Sequence, residues 1–242
     1  MFDDCWDPKR HVLDSFPIPR SWRVTRSFDW GSSKPFSVGF WAESDGSTVK
    51  LPNGQQLRTV RGDLFRVAEW YGCSPRESNV GLRMLAVDVA AGIAKRQASM
   101  VANGLLPYVP KPGPADSAIW NSEDGPSVAT NMASKGIMWE KADKSPGSRK
   151  HGWEQVRRRM VAAVPPWLRP NADPDLQPYA WVREEPAMFV FNTCHAFLET
   201  VPSLARDDKD LDDVDTETED HVGDEVRYMV SSVKKTMVQR NF

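Results

Sequence analysis

The chain has 242 residues, 40 % of them hydrophobic and 26 % charged, with a formal net charge of −2. Those values are ordinary for a globular protein and exclude disordered and collagen-like chains. The length suits one large domain or two small ones, with room for a core that needs no disulfides. The opening MFDDCWDPKR has no signal pattern, and no run of about 18 apolar residues is present to span a membrane. Cys5, Cys73 and Cys194 are scattered without C-x-x-C spacing, so neither a disulfide framework nor a zinc site is expected, and a reducing cytosol is the simplest setting.

The small net charge hides an asymmetry. Residues 207–225 (DDKDLDDVDTETEDHVGDE) contain 11 acids and one lysine, a formal −10, which leaves +8 for the rest.

In chain order, residues 1–20 read as an extended arm, because Pro17-Ile18-Pro19 cannot continue a helix. Residues 22–30 (WRVTRSFDW), 36–41 (FSVGFW) and 64–71 (LFRVAEWY) are rich in β-branched and aromatic residues and read as strands. Asp45-Gly46 and Asn53-Gly54 are hairpin signals between them, so the opening reads as an antiparallel meander. A helix capped by Ser78 or Asn79 follows, with Leu82, Leu85, Ala86, Val89 and Ile93 as its apolar stripe. A Pro/Gly-rich loop (PKPGPAD) leads to Asp116. A short helix is expected over 127–135, a short strand over 137–140 and a helix over 148–163 that Pro165-Pro166 stops. Residues 188–191 (MFVF) read as a buried strand, followed by a helix through Leu198. The last helix carries Val222, Val226, Met229, Val230, Val233 and Met237 at helical spacing. Strands first, then strands and helices together, indicate a mixed α/β or α+β domain.

Three acids stand out by context: Asp29 ends the first strand, Asp116 follows the Pro/Gly-rich loop, and Asp224 lies three residues after His221 near the start of the last helix. Residues three apart on a helix are neighbours, so His221 and Asp224 can serve one site. Such a set suits metal-assisted phosphodiester cleavage, with hard oxygen ligands for Mg²⁺ or Mn²⁺. Each acid also has an ordinary alternative as a turn, cap or helix-dipole residue. Asp224 falls nearly opposite the apolar stripe and so faces either water or a cleft.

The ordered motifs 19–46 (PRSWRVTRSFDWGSSKPFSVGFWAESDG), 66–72 (RVAEWYG), 113–120 (GPADSAIW) and 211–230 (LDDVDTETEDHVGDEVRYMV) resemble the C-terminal nuclease domain of the large terminase subunit of tailed bacteriophages or prophages. The resemblance implies an α/β, RNase H-like fold: a central mixed sheet flanked by helices, with an added β-hairpin. It implies a nuclease domain over 21–242 behind the arm at 1–20, and a two-metal endonuclease cutting concatemeric viral double-stranded DNA during packaging. Asp29, Asp116 and Asp224 match its catalytic acids, which hold two Mg²⁺ or Mn²⁺ ions, and His221 matches a ligand or near-ligand. Glu69 competes with Asp116, and Asp220 with Asp224. Implied partners are the small terminase subunit and the portal protein, in the host bacterial cytoplasm. The phosphate-binding loop of the terminase ATPase does not occur, so an excised or separately encoded nuclease portion without an ATP site is expected.

The basic body supplies candidate DNA contacts: Lys34 beside the first strands, and Arg149, Lys150, Arg157 and Arg158 around one helix. Trp30 and Trp120 are expected to wall the site. A non-catalytic DNA-binding or motor-docking module on the same fold is the alternative. A thiol hydrolase on Cys194-His195 is remote, because adjacent residues point apart.

Overall fold

The structure is a computed structural model that describes residues 1–122, 125–178, 180–215 and 218–233. Its strands are β1 (Val12–Leu13), β2 (Arg23–Asp29), β3 (Ser37–Glu43), β4 (Thr48–Lys50), β5 (Gln56–Arg58), β6 (Leu64–Tyr71), β7 (Pro114–Ala115), β8 (Glu140–Lys141) and β9 (Met188–Phe191). Its helices are α1 (Pro8–His11), α2 (Ala86–Ala102), α3 (Val128–Ala133), α4 (Ser148–Ala162), α5 (His195–Thr200) and α6 (His221–Ser232). Met237, expected on the last helix, lies outside the described residues.

The expected meander is β2–β3–β6, each pair antiparallel. It forms the centre of a seven-stranded sheet in the order β1-β9-β6-β3-β2-β7-β8. Every other adjacent pair is parallel, so β3 alone runs against the rest. β2 and β3 are buried on both faces; β3 reads as a largely apolar run, whereas β2 carries Thr25, Arg26 and Ser27 inside, each hydrogen-bonded. β4 and β5 form the separate hairpin, turned at Asn53-Gly54, where Gly54 has φ +86°.

The segment 1–20, expected as an extended arm, packs onto the sheet. It contains α1, and β1 pairs with β9, while Phe2, Phe16 and Ile18 enter the core. Its aromatic side chains bury enough apolar surface to hold it against the sheet.

The helix expected from Ser78 or Asn79 begins later, at Ala86, with Leu85 as its N-cap and no side-chain cap bond. Asn79 and Arg83 have left-handed backbones (φ 57° and 53°), which a continuous helix forbids. Leu82 and Leu85, expected to be apolar-stripe residues, are exposed at 40 % and 68 %.

Helix α6 packs on β2, β3 and β7 and against α4 and α5. Val222, Val226, Met229 and Val230 are buried, each stabilising by roughly 1.5–3 kcal/mol if fully removed from water. The crossing with α4 is close. A Cβ at Gly152 would fall 2.5 Å from Arg227 Cγ, so only glycine lets the two helices approach this way.

Candidate active site

β2 and β7 are parallel neighbours with Phe28 opposite Ala115, and the Asp116 amide donates to the Phe28 carbonyl at 3.1 Å. Asp29 and Asp116 therefore stand side by side where adjacent strands end. The carboxyl ends of parallel strands are where open α/β sheets place their ligands. Asp116 also caps a 3-10 helix (Ser117–Trp120), accepting from Ala118 N at 2.8 Å.

α6 lies across the same strand end and brings His221 and Asp224. His221 Nδ1 is 3.3 Å from Asp29 Oδ2, and Nε2 is 3.2 Å from Asn79 Oδ1. An acceptor at each ring nitrogen favours the imidazolium. Burial pulls the His221 pKa down, but the Asp29 carboxylate outweighs it and the net shift is upward. Burial lifts Asp29 to about 7; the His221 bond opposes this, and the charges of Asp224 and Asp116 add to it. Asp220, the N-cap residue of α6, is lifted to about 6 by burial and then by Asp224. The Tyr228 hydroxyl, one turn beyond Asp224, is raised by burial and by Asp29, Asp224 and Asp116. The three expected acids thus share one electrostatic neighbourhood, and Asp220 and Tyr228 share it too.

Cations hold this cluster. Lys144 Nζ pairs with Asp116. Arg149 lies 3.1 Å from Asp224, 2.7 Å from Asp213 and 3.5 Å from Asp220. Arg227 reaches Asp224 at 3.1 Å from one turn along α6. As the side chains stand, no group of three His, Cys, Asp or Glu among the described residues converges as a metal centre. The donor set still fits a hard divalent cation in kind. It offers several carboxylates from three elements, and burial and mutual repulsion raise the pKa of two of them.

The two competitors separate. Glu69 accepts from Ala196 N at 2.6 Å and Phe197 N at 3.2 Å and so caps α5. Asp220 belongs with Asp224.

The α4 cations expected on DNA have acidic partners within the molecule. Arg149 is the counter-ion just described. Lys150 pairs with Asp210 at 2.5 Å, Arg157 pairs with Asp4, and Arg158 pairs with Glu154 at 2.9 Å. Sequence spacing could not reveal this, because the partners of Arg149, Lys150 and Arg157 are distant in the chain. Asp210, Asp213, Asp220 and Asp224 of the acidic segment therefore pack against Arg149 and Lys150 of α4. Lys34 is exposed on the β2–β3 loop. That loop clasps the strained segment before α2: Gly81 N donates to Ser33 O at 2.8 Å and Arg83 N to Ser32 O at 3.2 Å. Lys34 and Arg83 are thus exposed on two loops that clasp each other, the second of which also carries Asn79 to His221. Among the described residues, neither is in an ion pair.

Trp30 lies tilted against Phe28 with ring centres 5.9 Å apart, and Lys141 Nζ sits 5.5 Å from the Trp120 ring. Cys194 is buried, with its thiol pushed up to about 12 by burial, while His195 is exposed, so no nucleophile–base pair exists there. A cavity of about 620 Å³ lined by Arg23, Arg61 and Lys111 lies toward the other end of β2 and contains none of the site acids.

The mixed seven-stranded sheet flanked by helices is the RNase H-like α/β fold that the resemblance implies. Solved structures similar to this chain include phage large terminases and their nuclease domains. The large terminase of a thermophilic bacteriophage matches with TM-score 0.61 at 16 % identity, over 96 % of this chain and 45 % of that one. The P22 large terminase nuclease domain matches with TM-score 0.58 at 16 % identity, over 93 % and 89 %. The large terminase nuclease of thermophilic phage G20c, solved with bound cobalt, matches with TM-score 0.50 at 8 % identity, over 93 % and 95 %. The chain spans less than half of the first of these proteins. No family model and no curated protein matches the sequence. Among the described residues, no helix is long and apolar enough to cross a membrane.

Proposed function

We propose that this chain is the nuclease portion of a phage or prophage large terminase, a metal-dependent endonuclease that cuts concatemeric double-stranded DNA during genome packaging. The observation that carries the reading is the meeting of Asp29, Asp116 and Asp224 at one strand end, with Asp29 lifted to about 7 by burial and its acidic neighbours. The fold shared with terminase nuclease domains supports it, and the cobalt in the G20c structure supports a divalent ion. By the same reading, the small terminase subunit and the portal protein are partners, and the host cytoplasm is the place of action.

Asp29, Asp116 and Asp224 would hold two Mg²⁺ or Mn²⁺ ions, with Asp220 at the margin. When bound, the ions supply Lewis-acid charge at the scissile phosphate and an activated water. Asp116 and Asp224 must then exchange their contacts with Lys144, Arg149 and Arg227 for the ions. His221, held between Asp29 and Asn79, fixes the Asp29 carboxylate and loses its extra proton if it becomes a ligand itself. Lys34 and Arg83 hold the phosphate backbone without reading sequence.

Plasmid cleavage in Mg²⁺ or Mn²⁺, against EDTA, tests this. Asp29→Ala, Asp116→Ala and Asp224→Ala should each lower the rate by more than about 100-fold, beyond what loss of an outer-shell partner costs. Undiminished cutting in all three overturns the reading. The cations on Asp116 and Asp224 favour one second reading, a non-catalytic DNA-binding or motor-docking module. It predicts salt-sensitive DNA binding with no metal-dependent cutting.

A further inference from the structure

The residue after Asp224 is a carboxylate with no access to solvent. Glu225 is fully buried between α6 and the sheet. Its Oε1 accepts from Ser27 Oγ and, at 3.0 Å, from Trp41 Nε1. Its Oε2 pairs with the Arg66 guanidinium and lies 3.4 Å from Ser37 Oγ. Arg66 is itself fully buried, lying over Trp41 and Phe197 and tied to Glu69 at 3.3 Å. Three strands thus grip one side chain of α6.

The points of attachment matter. Ser27 and Asp29 are two apart on β2 and share a face, and Ser37 is the direct register partner of Asp29. Gly39 is the partner of Ser27, and a Cβ there would collide with Glu225, Trp41 and Arg66. The groove for this carboxylate therefore exists only because position 39 has no side chain. Apolar contacts such as those of Val222 and Val226 are non-directional and tolerate a small slide or rotation of the helix. Four directed donors do not.

We propose that Glu225 is a positioning residue. It fixes the rotation and axial register of α6 on β2 and β3, and so sets His221 and Asp224 against Asp29. Stability alone is a poor explanation for the pair, because buried ion pairs are often replaced by apolar residues of similar volume without loss. The consequence for catalysis rests on the nuclease reading; the geometric claim does not.

The test uses the double variant Glu225→Met/Arg66→Met, which removes both charges and keeps the volume, alongside Glu225→Gln. The double variant should melt cooperatively near the wild-type temperature. In a metal-free crystal structure, its His221–Asp29 contact of 3.3 Å should be lost. Mn²⁺ affinity by calorimetry should fall by roughly 10–100-fold, as for other outer-shell losses, and kcat should fall while KM for DNA holds. A folded double variant that keeps the contact and the wild-type Mn²⁺ affinity overturns the proposal. Should the double variant fail to fold, Glu225→Gln decides. Its amide must turn toward a pair of donors, so lower Mn²⁺ affinity at an unchanged melting temperature is expected, and undiminished affinity overturns the proposal. If the wild-type protein neither binds Mn²⁺ nor cuts DNA, the nuclease reading fails, and the His221–Asp29 distance in the variants still decides the positioning claim.

Discussion

His221 Nδ1 meets Asp29 Oδ2 at 3.3 Å across 192 residues of chain, joining the first turn of the last helix to the end of the first long strand. The pair makes stability depend on pH in a definite direction. Asp29 is held up at about 7, against an ordinary value of 3.8, by burial above all. Asp220 is held up at about 6, again by burial first, and His221 is shifted upward as well. In each case the folded state binds the proton more tightly than the unfolded chain, so stability falls as pH rises through the folded pKa. Metal-free protein should therefore lose melting temperature steadily between about pH 4 and 7, in contrast to the usual paired carboxylate. Thermal melts in EDTA at stepped pH measure this. Asp29→Asn should flatten the slope, and a wild-type profile that rises over that window would contradict the assignment.

The cations expected to hold DNA divide into two groups. Those on α4 are engaged by acids, while Lys34 stands exposed on a loop clasped to the segment of Arg83, an exposed cation that the sequence did not single out. Lys34→Ala and Arg83→Ala should each weaken DNA binding about uniformly across sequences. Each should also reduce the slope of log K against log salt by about 1. Arg158→Ala should leave both quantities unchanged, because its guanidinium is paired along the helix with Glu154. Fluorescence titration of a labelled duplex in EDTA separates binding from cutting. Equal losses in all three variants would return the DNA path to α4.

The parts of this molecule that were legible in the sequence are those set by local periodicity. β6 spans 64–71 as read, α4 keeps Trp153, Val156 and Met160 on its buried face, and α6 follows its apolar stripe. The start of α2 was not legible. Asn79 is a good cap by type, but it stands in a left-handed turn just before Gly81 and Arg83 clasp Ser33 and Ser32, and such a clasp has no local signature. The same limit applies to charge. Arg149 and Arg158 look alike in sequence, yet one enters an acidic cluster and the other lies on the surface. Glu225 is one of 11 acids in residues 207–225. Nothing but burial sets it apart. The ordered motifs picked out Asp29, Asp116 and Asp224, and the topology adds a reason for two of them, since Phe28 pairs with Ala115 in parallel.

Arg149 gives a prediction that couples charge, stability and metal. Its guanidinium spans Asp213, Asp220 and Asp224, and its side chain is 28 % exposed. Removing it leaves three acids facing one another with only Arg227 still on Asp224. Arg149→Ala should therefore destabilise the metal-free protein by about 1–3 kcal/mol, less than a fully buried break because solvent still reaches the group. A divalent ion supplies the missing positive charge at the same carboxylates. Mn²⁺ should then raise the melting temperature of Arg149→Ala by more than it raises that of the wild type, and should bind the variant more tightly, since no resident cation has to be displaced. Parallel melts with and without Mn²⁺ check both effects. A variant stabilised by Mn²⁺ less than the wild type would mean that Arg149 organises the acids for the ion instead of standing in for it.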